Sequence, residues 1–225
     1  MNKILLATAG VFLLSAGAAW AAGTDDNKQD LTQSGHGHSA DQLIVDGASW
    51  NTQTVTQENR ANSASQAING AGGNGNGAAN EQGIYQYGRD NMAFQSIDPT
   101  YAEYGGGNGN KQEITQYNAN NIASQDVFDG SNDNKQYATQ SGNYNDSQQE
   151  IVNGSVNEQT VDQDGGYLFA SQLVDHGDGN TQEAWQTGHY NTTNQSVYAG
   201  GYNQQTSTQS GSNNTATQQI GAPLM

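Results

Sequence analysis

The sequence predicts an all-β fold, a β-solenoid of about eight strand-turn-strand repeats with two parallel stacked sheets and ladders of Gln and Asn between them. Three observations predict it. Glutamine recurs at three fixed phases and asparagine at a fourth in each of eight consecutive units from residue 27 onward. Within a unit these amides fall on alternate residues, the side-chain period of a strand. Between the alternating blocks lie clusters of Gly, Asn, Asp and Ser, the residues that form turns.

Residues 1–21, MNKILLATAGVFLLSAGAAWA, read as a secretory signal peptide. Lys3 supplies the positive start, Ile4 to Leu14 the apolar stretch and Ala19-Trp20-Ala21 the small-x-small cleavage site. The run is short and ends in small residues, so cleavage is expected rather than a membrane anchor, and the mature chain is expected to have no membrane span. Residues 22–26 are a short mature N-terminal segment, and eight repeats fill 27–225, starting at residues 27, 51, 80, 110, 134, 157, 180 and 203.

The stretch NKQEITQYNANNIASQ, residues 110–125, carries most of one unit. With Gln116 as position zero, its equivalents are Gln33, Gln57, Gln86, Gln140, Gln163, Gln186 and Gln209, at spacings of 24, 29, 30, 24, 23, 23 and 23 residues. Six residues before each is an Asn: Asn27, Asn51, Asn80, Asn110, Asn134, Asn157, Asn180 and Asn203. Four before is a Gln: Gln29, Gln53, Gln82, Gln112, Gln136, Gln159, Gln182 and Gln205. Nine after is another: Gln42, Gln66, Gln95, Gln125, Gln149, Gln172, Gln195 and Gln218. Eleven after is always Ile or Val: Ile44, Ile68, Ile97, Val127, Ile151, Val174, Val197 and Ile220. Gly at plus two, Asn at plus five and Ala at plus seven each hold in six of the eight units.

The unit therefore reads as a strand N-x-Q-x-h-x-Q, a four-residue turn, a strand N-x-A-x-Q-x-[IV], and a second turn. Gly at plus two, and Gly130, Gly154, Gly177 and Gly200 in the second turn, are expected at positive φ. The two long spacings come from inserts in the second turn, AINGAGGNGNGAA at 67–79 and SIDPTYAEYGGGNG at 96–109. Inserts confined to one turn leave both strands intact, as a solenoid requires.

Composition alone points elsewhere. The chain is 32% hydrophobic with a formal net charge of −16, which leans towards disorder. Disorder, however, does not require glutamine at fixed phases. Stacking the units places Gln over Gln and Asn over Asn at roughly 4.8 Å, so a buried amide that would be costly alone has its donors and acceptors paired above and below. The amides form the core. The end rungs of such a stack present unpaired edges of matching sequence, which invites end-to-end addition. With Lys3 removed, five basic residues face 22 acidic ones, a net of −17 that repels nucleic acid. The chain has no Cys, so stability comes without disulfides.

At NIASQ (121–125) and QYGRDNMAFQ (86–95) the unit resembles the curlin repeat of bacterial curli fibres, and the resemblance covers essentially the whole mature chain. It implies a secreted structural subunit that self-assembles into amyloid fibres of the extracellular matrix and supports adhesion and biofilm formation. It also implies as partners a second copy of the chain, a nucleator subunit and an outer-membrane secretion pore. Two features depart from that pattern. The Gln and the aliphatic residue of the second strand have exchanged neighbouring inward positions, and only Ala22 to Asp26 separate the signal from the first repeat. The second departure leaves open a minor, nucleating curlin.

Nothing in the sequence points to catalysis or to a cofactor. Most of the acidic residues lie in turns (Asp46, Asp129, Asp133, Asp175, Asp178) or at outward strand positions (Glu113, Asp162, Glu183), where they serve as gatekeepers against aggregation. DHGDGN at 175–180 lacks the nonapeptide recurrence of calcium-binding repeats. His36 and His38, with His176 or His189, are a weak metal candidate, and His38 occupies an Asn phase of the ladder. GGNGNG at 72–77 lacks the strand–helix context of a phosphate loop. A file of Thr32, Thr56, Thr115, Thr139 and Thr208 suggests a monomeric solenoid binding ice or polysaccharide along one face, but Tyr85, Asp162 and Trp185 break it. Tyr85, Phe94, Tyr137 and Trp185 are expected to face outward as contacts for adhesion or fibre bundling.

Overall fold

The computed structural model describes residues 20–21, 26–45, 48–69, 79–98, 107–129 and 131–221. The signal peptide up to residue 19, most of the 22–26 segment and the bodies of both inserts lie outside the described residues.

Every described element is a strand. Eight nine-residue strands, Lys28–His36, Thr52–Arg60, Glu81–Arg89, Lys111–Ala119, Lys135–Asn143, Glu158–Gly166, Thr181–His189 and Gln204–Ser212, form one parallel sheet in sequence order. A second parallel sheet has nine strands: Trp20–Ala21, then Ser39–Val45, Ser63–Asn69, Met92–Asp98, Ile122–Phe128, Asp146–Val152, Phe169–Asp175, Thr192–Tyr198 and Thr215–Ile220. Each repeat contributes one strand to each sheet, so the chain is a β-solenoid of eight rungs.

Register is fixed by residue type. Gln82 pairs with Gln112 and Gln86 with Gln116, and Gln95 pairs with Gln125. A slip of one residue would turn every inward amide out to solvent, so the alternating pattern admits one register. Along Ser63–Asn69 and Phe169–Asp175 half-buried and buried residues alternate without a break.

The core interleaves large and small. The aliphatic residue at minus two meets the Ala at plus seven of the facing sheet, giving a cluster of Val55, Ile84 and Ile114 with Ala40, Ala64, Ala93 and Ala123, which Ala138, itself at minus two, extends. That contact explains the alanine: with a branched side chain opposite, close packing leaves room for a methyl group. The aliphatics at plus eleven stack on themselves, Ile44 on Ile68, Ile97 and Val127, and Ile151 on Val174 and Val197.

Two details of the turns differ from the sequence expectation. The first strand runs on to plus three, as in Lys135–Asn143, so the first turn is two residues rather than four. Gly142 there has φ 114°, and a Cβ on it would stand 1.7 Å from the Gly165 carbonyl oxygen of the next rung. The glycines at plus two therefore let successive backbones approach while the ladder continues. In the second turn Gly154, Gly177 and Gly200 are not at positive φ; a Cβ on Gly154 would stand 2.3 Å from the Gly177 oxygen and one on Gly177 2.4 Å from the Gly200 oxygen, so close approach selects glycine there. Gly130 lies outside the described residues. The left-handed position is one residue earlier, at Asp129, Asn153, His176 and Ala199 (φ 50–57°).

Candidate functional site

The glutamines predicted to build ladders do so. In the column from Gln29 to Gln205, each Nε2 donates to the Oε1 of the next rung, at 2.7–2.9 Å over all seven steps. The columns from Gln33 to Gln209 (2.7–3.0 Å) and from Gln42 to Gln218 (2.8–3.0 Å) are equally unbroken. The second amide proton goes to a backbone carbonyl, as from Gln140 to Ile122 and from Gln149 to Tyr137. Interior Gln side chains are thereby satisfied as donors and as acceptors, which is what allows them to be fully buried.

Asparagine is used differently. From Asn27 to Asn203, each Oδ1 accepts the backbone N–H of the next Asn, at 2.8–3.0 Å. The Nδ2 of Asn134, Asn157 and Asn180 reaches Gly154, Gly177 and Gly200 across the second turn. A second Asn column at plus five pins the first turn in the same way, for example Asn91 to Asn121 to Asn145. These short side chains restrain turns, whereas the longer Gln side chains span the core.

His38 stands in that second column, as the sequence indicated. Its Nδ1 accepts from the Asn62 backbone N–H at 3.3 Å, and its Nε2 lies 3.2 Å from the Ser34 carbonyl. Burial pushes its pKa below the usual 6.5, opposed by the Ser34 carbonyl and reinforced by His36. The structure does not bring the four histidines together: His36 and His38 belong to the first rung, His176 and His189 to the sixth and seventh. Among the described residues no cluster of three or more His, Asp or Glu could hold a metal ion. Asp178 accepts from the Ser155 backbone N–H at 2.7 Å, and Asp175 is engaged by His176.

The end rungs differ from the middle. Asn27, Gln29, Leu31 and Gln33 are half-buried, and so are Asn203, Asn214, Ala216, Gln218 and Ile220. The same phases in interior rungs are buried. The two ends are also chemically complementary. All three Gln ladders run with the donor on the earlier rung, so Gln205, Gln209 and Gln218 each use one amide proton on a carbonyl (Ser196, Thr192, Thr206) and have a second to offer. The first rung presents the Oε1 that a preceding rung would address. Over the first rung's second strand, Trp20 pairs with Leu43 and Ala21 with Ile44, at the predicted cleavage site.

On the outer faces, Phe94 and Trp185 are exposed, while Tyr85 and Tyr137 are half-buried. Thr56, Tyr85 and Thr115 share one file, as do Thr139, Asp162, Trp185 and Thr208. A depression of about 290 Å³ is lined by Ser141, Asp162, Asp164, Trp185, Gln186 and Thr187. Burial raises the Asp162 pKa, with Asp164 adding to the effect.

Sequence reading did not find the tyrosine stacks. Tyr144, Tyr167 and Tyr190 stand at plus four of three successive rungs, with centroids 4.9 and 5.0 Å apart and rings tilted by 8° and 13°. Tyr87 stacks on Tyr117 at 5.5 Å. The signal was available: a tyrosine recurring at one phase of consecutive 23-residue units.

Comparison with known protein families, curated proteins and solved structures found no match to this chain.

Proposed function

We propose that the chain is a secreted structural subunit that polymerises through its ends into curli-like amyloid fibres of the extracellular matrix, supporting adhesion and biofilm formation. The observation that carries this reading is the common polarity of the three Gln ladders. One end of the rod offers amide N–H groups and the other offers amide oxygens, at matching positions on matching strands. A surface that complements a different surface of the same molecule makes a head-to-tail contact, and when the rotation does not close the product is a filament. The parallel edges of both sheets add main-chain hydrogen bonds to the same contact. Removal of residues 1–21 would take Trp20 and Ala21 off the Ser39–Val45 edge and free it for the last rung of another copy. On this reading the protein's partners are other copies of itself, a nucleating subunit and a secretion pore. The same ends would serve a nucleator equally well.

The experiment is to purify the chain without residues 1–21 and follow thioflavin fluorescence with and without preformed seeds. Seeded fibres with the meridional spacing of stacked strands, roughly 4.8 Å, are expected. A species that stays monomeric with and without seeds overturns the reading and favours a solenoid that acts alone.

A further inference from the structure

The Tyr144–Tyr167–Tyr190 column is not part of the amide core or of either end rung. Its three residues lie on the first turn, about half exposed (51%, 50% and 56%). All three have positive φ, 59°, 57° and 56°. That conformation suits Gly, Asn or Asp and is unusual for a bulky side chain. The same position in the other five rungs holds Gly37, Ala61, Asp90, Asn120 and Asn213, four of which follow the preference. Three successive tyrosines accept a backbone strain that four of the other five rungs avoid by residue type at this position, and stacking alone offsets only part of it. Stacking also does not require hydroxyls, which phenylalanine lacks.

We propose that this column is a site of oxidative modification, at which a one-electron oxidant couples adjacent tyrosines into dityrosine and staples neighbouring rungs. The co-reactant is hydrogen peroxide acting through a peroxidase. Each of two phenols gives up one electron and its hydroxyl proton. The two phenoxyl radicals join through a carbon–carbon bond between ring positions ortho to oxygen. Each ring then moves its displaced ortho hydrogen to oxygen and becomes a phenol again. The pair has lost two hydrogen atoms, which reduce one peroxide to two waters.

Geometry favours this column over the other tyrosines among the described residues. Its rings are already held as neighbours, nearly parallel, with their edges open to solvent. Tyr87 and Tyr117 are further apart and more tilted, 5.5 Å and 17°. Tyr202 is 91% exposed, but among the described residues no aromatic ring stacks on it. Because Gly37 and Asn213 occupy the column at its two ends, the coupling is confined within one chain and does not depend on polymerisation. Each bond closes a loop of 23 residues and so restrains the unfolded chain as a disulfide would.

Tyr167 belongs to both pairs, which makes the test specific. The purified chain is oxidised at low concentration with peroxidase and hydrogen peroxide. Dityrosine fluorescence is recorded, and cross-linked fragments from cleavage at Asp and Glu are sequenced by mass spectrometry. The expected result is a monomer lighter by two hydrogens, with a link at Tyr144–Tyr167 or Tyr167–Tyr190. Tyr167→Phe should lose that intramolecular product, while Tyr144→Phe keeps the Tyr167–Tyr190 link. The double variant Tyr144→Phe/Tyr190→Phe should lose it as well, which covers the case of a Tyr167 variant that fails to fold. Cross-links scattered over other tyrosines, links only between molecules, or intramolecular dityrosine undiminished in Tyr167→Phe would each overturn the proposal.

Discussion

Gln116 donates from Nε2 to Oε1 of Gln140, 24 residues further along, at 2.9 Å. The same nitrogen reaches the Met92 carbonyl at 2.9 Å, and Gln86 donates to the Gln116 oxygen at 2.9 Å. The side chain is fully buried. Gln116→Ala strands the Gln86 donor and the Gln140 acceptor, at about 1–3 kcal/mol each. Gln116→Glu should be worse at neutral pH, because an ionised carboxylate has no proton for Gln140 or for Met92 and is a buried charge. Acid should rescue it by restoring one donor. Denaturant midpoints of the two variants, compared at neutral and acidic pH, check both statements.

Ser147 gives the opposite expectation. It occupies an Ala phase, is fully buried, and its Oγ has no hydrogen-bond partner. Ser147→Ala removes an unsatisfied polar atom and restores the methyl found in six of the eight units. The variant should be more stable by about 1 kcal/mol, read from the urea midpoint at unchanged slope. Thr193, also in an Ala phase, should not behave this way. Its hydroxyl lies 3.2 Å from that of Ser207 and 3.0 Å from Gln209 Oε1, so Thr193→Ala unpairs a satisfied group.

Most of the fold was legible because its core residues are polar and therefore conspicuous. An aliphatic core tolerates exchange of Leu, Ile and Val, but a Gln ladder admits only a residue with both amide atoms at that length, so Gln116 and its equivalents recur without exception. The turns were less legible. Whether Gly154 is selected by φ or by the approach of Gly177 depends on the distance between rungs, which no single repeat encodes. The extension of Lys135–Asn143 beyond Gln140 also reflects pairing with the next rung rather than local preference. The tyrosine column was hidden for another reason, since Tyr144 defies the left-handed preference of its own position.

Acid should stabilise the rod. Desolvation holds Asp126, Asp146, Asp162 and Glu150 above their ordinary carboxylate values, and Asp126 and Asp175 push Glu150 further in the same direction. The folded state therefore binds protons more tightly at these groups than the unfolded chain does. Their contribution is full below the unfolded values of 3.8 for Asp and 4.5 for Glu, and it is lost as pH rises through the folded ones. The net charge of −16 adds self-repulsion at neutral pH. The denaturant midpoint should be higher at about pH 4 than at pH 7, and Glu150→Gln should flatten that slope.

End rungs and middle rungs should respond differently when growth is measured instead of stability. Gln209 buries its acceptor against Gln186, while one of its amide protons faces the open end. Gln33 presents its oxygen at the other end and donates to Gln57. Replacing either by Ala should slow elongation from wild-type seeds more than Gln116→Ala does, with less loss of monomer stability. Equal elongation rates for the three variants would contradict growth through the ends.

His38 sets a second pH response, of opposite sign, at the first rung. Its Nδ1 accepts from the Asn62 N–H, so Nε2 must carry the ring proton towards Ser34. Protonating Nδ1 would set two N–H groups against each other. Folding therefore favours the neutral ring, which agrees with a pKa held below 6.5. A folded pKa below the unfolded one means that stability is full above 6.5 and is lost as pH falls through the window beneath it. Asparagine meets the same requirement without titrating: Asn62 accepts the Asn91 N–H at 3.1 Å and donates to Glu58 at 2.9 Å. His38→Asn should therefore match the natural chain closely above pH 6.5 and exceed it progressively below. Carboxylate titration is common to both chains and cancels in the difference. A stability difference between them that does not change with pH would show that the ring is not held neutral by the Asn62 N–H.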